Sequence, residues 1–170
     1  MADNPVVDPL PKPSAYRYEK RRAEAVVTLV SGETAKGCFF LGAGTSRHEG
    51  VESIGDLLNS ETAFFPFEIQ AGETKWTVLY NRAHLITVHV FEPEAGREPG
   101  YAVARRWNVS VLLTNGKRIN GVVRVYQPEG RDRLSDWTRQ IDAFRYIETD
   151  NATYIVNAAH VVAVTEVPRR

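Results

Sequence analysis

Apolar residues along residues 25–91 come in short runs rich in β-branched and aromatic side chains, the signature of strands. Ala25 to Val30 predicts a strand, Ser31 and Gly32 a turn, and Ala35 to Leu41 the returning strand. A polar loop follows. Val51, Ile54 and Leu58 then sit at i, i+3 and i+7, one apolar stripe on two turns of helix. Ala63 to Gln70, Thr74 to Tyr80 and Leu85 to Phe91 predict three further strands.

The pattern then starts again. Asn108 to Thr114, a turn at Asn115 and Gly116, and Arg118 to Tyr126 predict a second hairpin. Asn-Gly between two β-rich runs is a strong hairpin signal, because both residues tolerate positive φ. Leu134, Trp137 and Ile141 repeat the helical spacing, and Ala143 to Thr149, Thr153 to Val156 and Val161 to Val167 repeat the three strands. The agreement extends to single residues. Gly32, Gly37, Arg21 and Arg22 recur 84 positions later as Gly116, Gly121, Arg105 and Arg106. Asp56, Phe64 and Glu68 recur after 80 as Asp136, Phe144 and Glu148, and Asn81, Ala83 and His84 after 76 as Asn157, Ala159 and His160. Constant order with a shrinking shift means two small deletions in the second copy. An internal repeat of this length sets the architecture before any local reading does.

The division that follows is residues 1–20 as a Pro-rich flexible arm, 21–92 as repeat 1, 93–103 as a linker and 104–170 as repeat 2. Two units of about 70 residues are each marginal alone and are expected to lean on each other or on further copies. Five short antiparallel strands per unit suggest a small, strongly bent barrel, since closure hides unpaired edges. The expected fold class is mainly β: two tandem five-stranded barrels, each with a short helix inserted after its second strand.

Charge narrows the function. Lys plus Arg equals Asp plus Glu, 21 of each, whereas dedicated nucleic-acid binders usually carry a basic excess. Cys38 is the only cysteine, which excludes an intrachain disulfide and a four-cysteine zinc site. Residues 1–14 contain four prolines and no apolar run, so no signal peptide is expected there. No run approaches the ~18 apolar residues of a membrane span, and the expected location is the cytoplasm.

The residues resemble the Sm-like fold, the family of Sm, Lsm and Hfq proteins. The hairpin from Val111 to Val122, with Gly116 at its turn and Gly121 before the bent second strand, resembles the first Sm motif. Tyr154 to Val164, with Asn157 and His160, resembles the second. Arg133, Leu134, Ser135 and Asp136 are similar to an Arg-Leu-Ser-Asp segment, followed by Leu-Asn, in a group of uncharacterised bacterial proteins. The first copy keeps its Asp56, and Leu58 and Asn59 supply the Leu-Asn. The resemblance covers about residues 21–92 and 104–168. It implies rings in which the fourth strand of one unit pairs with the fifth of its neighbour. Three chains would then make a pseudo-sixfold ring, and packing of the two barrels on each other is the competing geometry. The Lys-His pair by which Hfq contacts RNA aligns with Arg82-Ala83 and Ala158-Ala159, so only Arg82 could inherit a phosphate contact.

The ligand- or RNA-binding candidates are Asn81, Arg82, His84, Asn157 and His160. The alternative for the asparagines is a turn role, through their tolerance of left-handed geometry. Arg17, Arg21 and Arg22 resemble the start of PilZ domains, which bind cyclic di-GMP through arginines, but the Asp-x-Ser-x-x-Gly element that should follow is missing. The repeated Asp56/Asp136 and Glu68/Glu148 point to a structural duty such as helix capping, since active sites are rarely built twice in one small chain. No Walker-type loop, Rossmann fingerprint or Gly-x-Ser-x-Gly is present, and neither catalysis, a metal site nor a cofactor is expected. The expected function is a non-catalytic binding or assembly module, acting as a homo-oligomer and presenting its loops to a protein or a small ligand. The alternatives are an RNA-binding ring and a cyclic-dinucleotide sensor.

Overall fold

The structure is a computed structural model that describes residues 20–60 and 63–168. The chain is mainly β. Its strands are β1 (Arg21–Leu29), β2 (Thr34–Leu41), β3 (Phe64–Ala71), β4 (Thr74–Asn81), β5 (Leu85–Val90), β6 (Arg105–Leu113), β7 (Arg118–Val125), β8 (Phe144–Glu148), β9 (Thr153–Asn157) and β10 (Val161–Glu166). Helix α1 (Ile54–Ser60) lies between β2 and β3, and α2 (Leu134–Thr138) between β7 and β8. Among the described residues these ten strands join one antiparallel sheet in the order β10-β6-β7-β8-β9-β5-β1-β2-β3-β4. The two halves order their strands alike. They meet where β5 pairs with β9, from Thr87 opposite Val156 to Val90 opposite Thr153.

Strand alternation builds the core. β1 turns Ala23, Ala25, Val27 and Leu29 inward and Arg22 and Glu24 outward. In the first half Phe39 stacks on Phe65 at 5.2 Å and meets Phe67 edge-on at 5.1 Å. In the second, Trp137 packs with Val109, Val111, Val123 and Ile147. The cores exchange residues at the junction: Phe144 and Ile155 belong to the first cluster, and Ile86 to the second.

Both hairpin turns are tighter in their demands than Asn-Gly suggests. Gly116 N–H donates to Leu113 O at 2.9 Å and Leu113 N–H to Lys117 O at 2.9 Å, a three-residue loop ending in a left-handed residue. Only the glycines take positive φ, 79° at Gly116 and 87° at Gly32; Asn115 does not. Its side chain instead accepts from Lys117 N–H at 3.0 Å.

The helices are shorter than the apolar spacing predicts. Val51 lies outside α1, and Ile141 lies beyond α2 and is fully exposed, so neither extends a buried stripe. The Arg145 side chain takes the Gln140 and Asp142 carbonyls at 2.6 and 2.8 Å, holding the segment after α2 in a non-helical path. Asp56 and Asp136 both fold back on their helix starts, accepting from Ser53 N–H and Arg133 N–H at 2.9 Å each. The segment between the halves is built in, not loose. Glu94 and Ala95 are fully buried in a short 3-10 turn, Glu94–Arg97.

The second repeated glycine has a packing reason. A Cβ on Gly37 would strike Glu68 O and the Phe67 ring, and one on Gly121 would strike Glu148 O and Ile147. Here β2 lies tight against its sheet neighbour β3, and β7 against β8. Gly37→Ala or Gly121→Ala should each lower unfolding free energy by roughly 1–3 kcal/mol through overpacking against backbone that cannot move aside. Urea unfolding measures this, and Gly32→Ala, whose Cβ has open space, separates strain at positive φ from collision.

Candidate functional site

Asn81 and Asn157 open equivalent 3-10 turns, Arg82–His84 and Ala158–His160, that lead into β5 and β10. Each side-chain oxygen accepts from the second amide of its turn, Ala83 N–H at 3.0 Å or Ala159 N–H at 3.1 Å. Their φ values, −77° and −80°, are extended, so the asparagines serve as caps and not as left-handed turn residues.

Beyond that shared cap the halves differ. Asn157 Nδ2 also donates to Leu85 O at 3.0 Å and reaches Arg82 O at 3.4 Å. His160 Nε2 lies 2.7 Å from Ala83 O. A carbonyl only accepts, so Nε2 carries the hydrogen; in the neutral ring Nδ1 then accepts from the Thr114 hydroxyl, 3.3 Å away. Both side chains therefore stitch the second half to the first beside the β5–β9 pairing. Asn81 and His84 hold the corresponding places beside β4, the outer strand of the sheet.

Arg82 is engaged within the fold. Its Nη1 donates to Leu58 O at 2.6 Å at the end of α1, and its guanidinium lies 5.6 Å from the Phe144 ring centre. Asn59, noted in sequence only as part of the Leu-Asn pair, proves to be a junction residue. It exchanges two 2.9 Å hydrogen bonds with the Phe144 backbone and so imitates a strand at the start of β8.

The N-terminal arginines are tied to carboxylates: Arg21 to Glu92 at 2.6 Å and Arg22 to Glu68 at 3.0 Å. Arg17 lies outside the described residues. Among the described residues no cluster of three or more His, Cys, Asp or Glu is arranged to hold a metal ion, and no helix is long and apolar enough to cross a membrane.

The two ends of the sheet are the most informative surfaces. β9 and β5 are covered by each other; their counterparts β4 and β10 are the outer strands. Ile155 is 0 % exposed, while Leu79, 76 positions earlier, is 64 % exposed. Ile86 is 1 % exposed, while Val162, 76 positions later, is 58 % exposed. The equivalent apolar position is buried at the β5–β9 junction and open on the outer strands.

A buried polar cluster locks α1 to the second half. Glu94 accepts from Ile54 N–H at 3.0 Å, Gly55 N–H at 3.2 Å and Tyr146 Oη–H at 2.8 Å. A Cβ on Gly55 would collide with the Tyr146 ring, so only glycine lets the ring approach. Burial pushes the Glu94 carboxyl up against the opposing pull of these donors, and burial next to Glu94 pushes the Tyr146 phenol well above its ordinary value.

Searches of family models, curated proteins and solved structures returned no match to this chain.

Glu94 gives a pH test. Its folded-state pKa is raised, so its contribution to stability is full below its ordinary value of 4.5 and is lost as pH rises through the folded value. Wild type should therefore lose stability relative to Glu94→Gln as pH climbs from 4 toward neutrality. Denaturant unfolding of both chains across that range reads the difference, and a gap that does not change with pH contradicts the assignment.

Proposed function

We propose that this chain is a non-catalytic assembly module made of two Sm-like barrels, which joins copies of itself end to end through β4 and β10. The observation that carries the reading is the burial contrast between Leu79 and Ile155 and between Val162 and Ile86. The β5–β9 junction is a worked example of the contact. Shifting it by 76 positions places Tyr80, Leu79, Val78 and Thr77 of one chain opposite Ala163, Val164, Thr165 and Glu166 of the next. Asn81 and His84 would then reach the neighbour's Val161 and Ala159 carbonyls, as Asn157 and His160 reach Leu85 and Ala83.

Edge pairing of this kind satisfies main-chain donors and acceptors that an outer strand otherwise leaves to water. The two ends differ, so the interface is heterologous and closes only if the step per unit divides a full turn. The Sm-like resemblance implies six units, which is three chains. Arg82 supports the RNA alternative poorly, because its guanidinium already serves Leu58 O and the Phe144 face. Arg21 and Arg22 likewise serve ion pairs, which counts against the cyclic-dinucleotide alternative.

Light scattering on the purified chain tests the reading. The expected mass is three times 19.1 kDa, about 57 kDa. Leu79→Lys or Val162→Lys should return it to a 19.1 kDa monomer with unchanged circular dichroism, since both side chains are open in the single chain. A wild-type monomer at every concentration would end the assembly reading. Excess absorbance at 260 nm in the oligomer peak would turn it toward RNA.

A further inference from the structure

The halves agree in their cores but part company at one place. Repeat 1 has Phe40, Leu57, Phe65 and Pro66 where repeat 2 has Arg124, Trp137, Arg145 and Tyr146. All four replacements line one cleft of about 330 Å³, together with Glu98 and Tyr101 of the segment that follows β5. The first half builds the same strands and helix without them, so the shared strand pattern does not require the change.

Charge inside the cleft is almost paired off. Arg47 bonds Asp142 at 2.5 Å and lies 3.3 Å from Asp56. Arg124 holds Glu148 at 2.7 Å, which also accepts from the Tyr101 hydroxyl. Two groups remain. Arg145 is only 9 % exposed, lies over Trp137 at 5.3 Å, and gives Nε and Nη2 to main-chain carbonyls. Among the described residues no carboxylate stands within 4 Å of its guanidinium. The Glu98 carboxylate likewise makes no hydrogen bond or ion pair among them, and burial together with Asp56 and Asp142 pushes its carboxyl up.

We propose that this cleft binds a small aromatic carboxylate carrying an amino group, with Arg145 taking the carboxylate and Glu98 the amino group. A buried cation without a counter-ion is costly, and an anion beside it relieves that cost. Asp142, Glu148 and Glu98 surround the same space and oppose a second negative charge, which selects a carboxylate over a phosphate dianion. Trp137, Tyr101 and Tyr126 give the cleft flat apolar walls for a ring. The volume sits near the lower end of the ~300–1,000 Å³ of ligand pockets, which matches a molecule of one ring. None of these residues belongs to β4 or β10, so the site is independent of assembly.

Isothermal titration of the full chain with 4-aminobenzoate, benzoate and phenyl phosphate tests the proposal. The expected order of affinity is 4-aminobenzoate above benzoate above phenyl phosphate. Arg145→Gln should weaken 4-aminobenzoate by about tenfold or more, the usual loss for a charged hydrogen-bonded partner. Arg145→Phe installs the residue that repeat 1 carries and should abolish binding, with the melting temperature as the check on folding. Glu98→Gln leaves the Arg145 environment intact and should bring 4-aminobenzoate and benzoate to the same affinity. Absence of binding by all three probes, equal binding to a folded Arg145→Gln chain, or tighter binding of phenyl phosphate would each overturn the proposal.

Discussion

The pairing of β5 with β9 is the constraint from which the rest of this structure follows. Strand edges carry rows of main-chain donors and acceptors, and the two halves satisfy theirs on each other instead of leaving four edges to water. Once that register is set, Ile86 must lie over the second core and Ile155 under the first. Asn157, His160 and Asn59 then complete the seam with hydrogen bonds to the opposite half. A junction made this way is directional, and it leaves the molecule with two unlike ends.

Those ends set the character of the surface. Leu79 and Val162 are apolar where a solvent-facing strand has no need of it, and each is the counterpart of a residue sealed inside the junction. A strand whose sequence still suits a partner, at an edge lacking one, is the feature on which the assembly reading rests. Under that proposal Asn81 and His84 would take a duty in keeping with Asn157 and His160, whose contacts are to main-chain carbonyls.

Polar burial marks where the halves diverge. Three donors converge on the buried Glu94 and offset only part of the cost of its burial, and it fastens α1 and the intervening segment to Tyr146. Arg145 is buried with main-chain carbonyls and the Trp137 ring but, among the described residues, no carboxylate, an arrangement that leaves its positive charge uncompensated there. The first half satisfies the same strand positions with apolar residues, so the strand pattern itself does not require these groups.

The ten strands, their order along the chain and the two hairpins were legible in the sequence, because period-two alternation and turn glycines act locally. The repeated Gly37 and Gly121, and the capping aspartates Asp56 and Asp136, were legible as structural for the same reason: their partners lie within their own half. The helix lengths were not, since Ile141 keeps helical spacing while α2 already closes with tighter bonds from Arg139 N–H to Asp136 O and from Gln140 N–H to Trp137 O. Nor could composition reveal that Glu92 to Gly100, polar and rich in Pro and Gly, is packed in place, for that depends on Tyr146 reaching Glu94 from across the sheet. The sequence by itself determined the strands and their repetition. Only the tertiary structure decided that β5 and β9 meet, which residues that contact buries and which it leaves open, because edge pairing is set by the shape and separation of whole halves and by no single residue's preference.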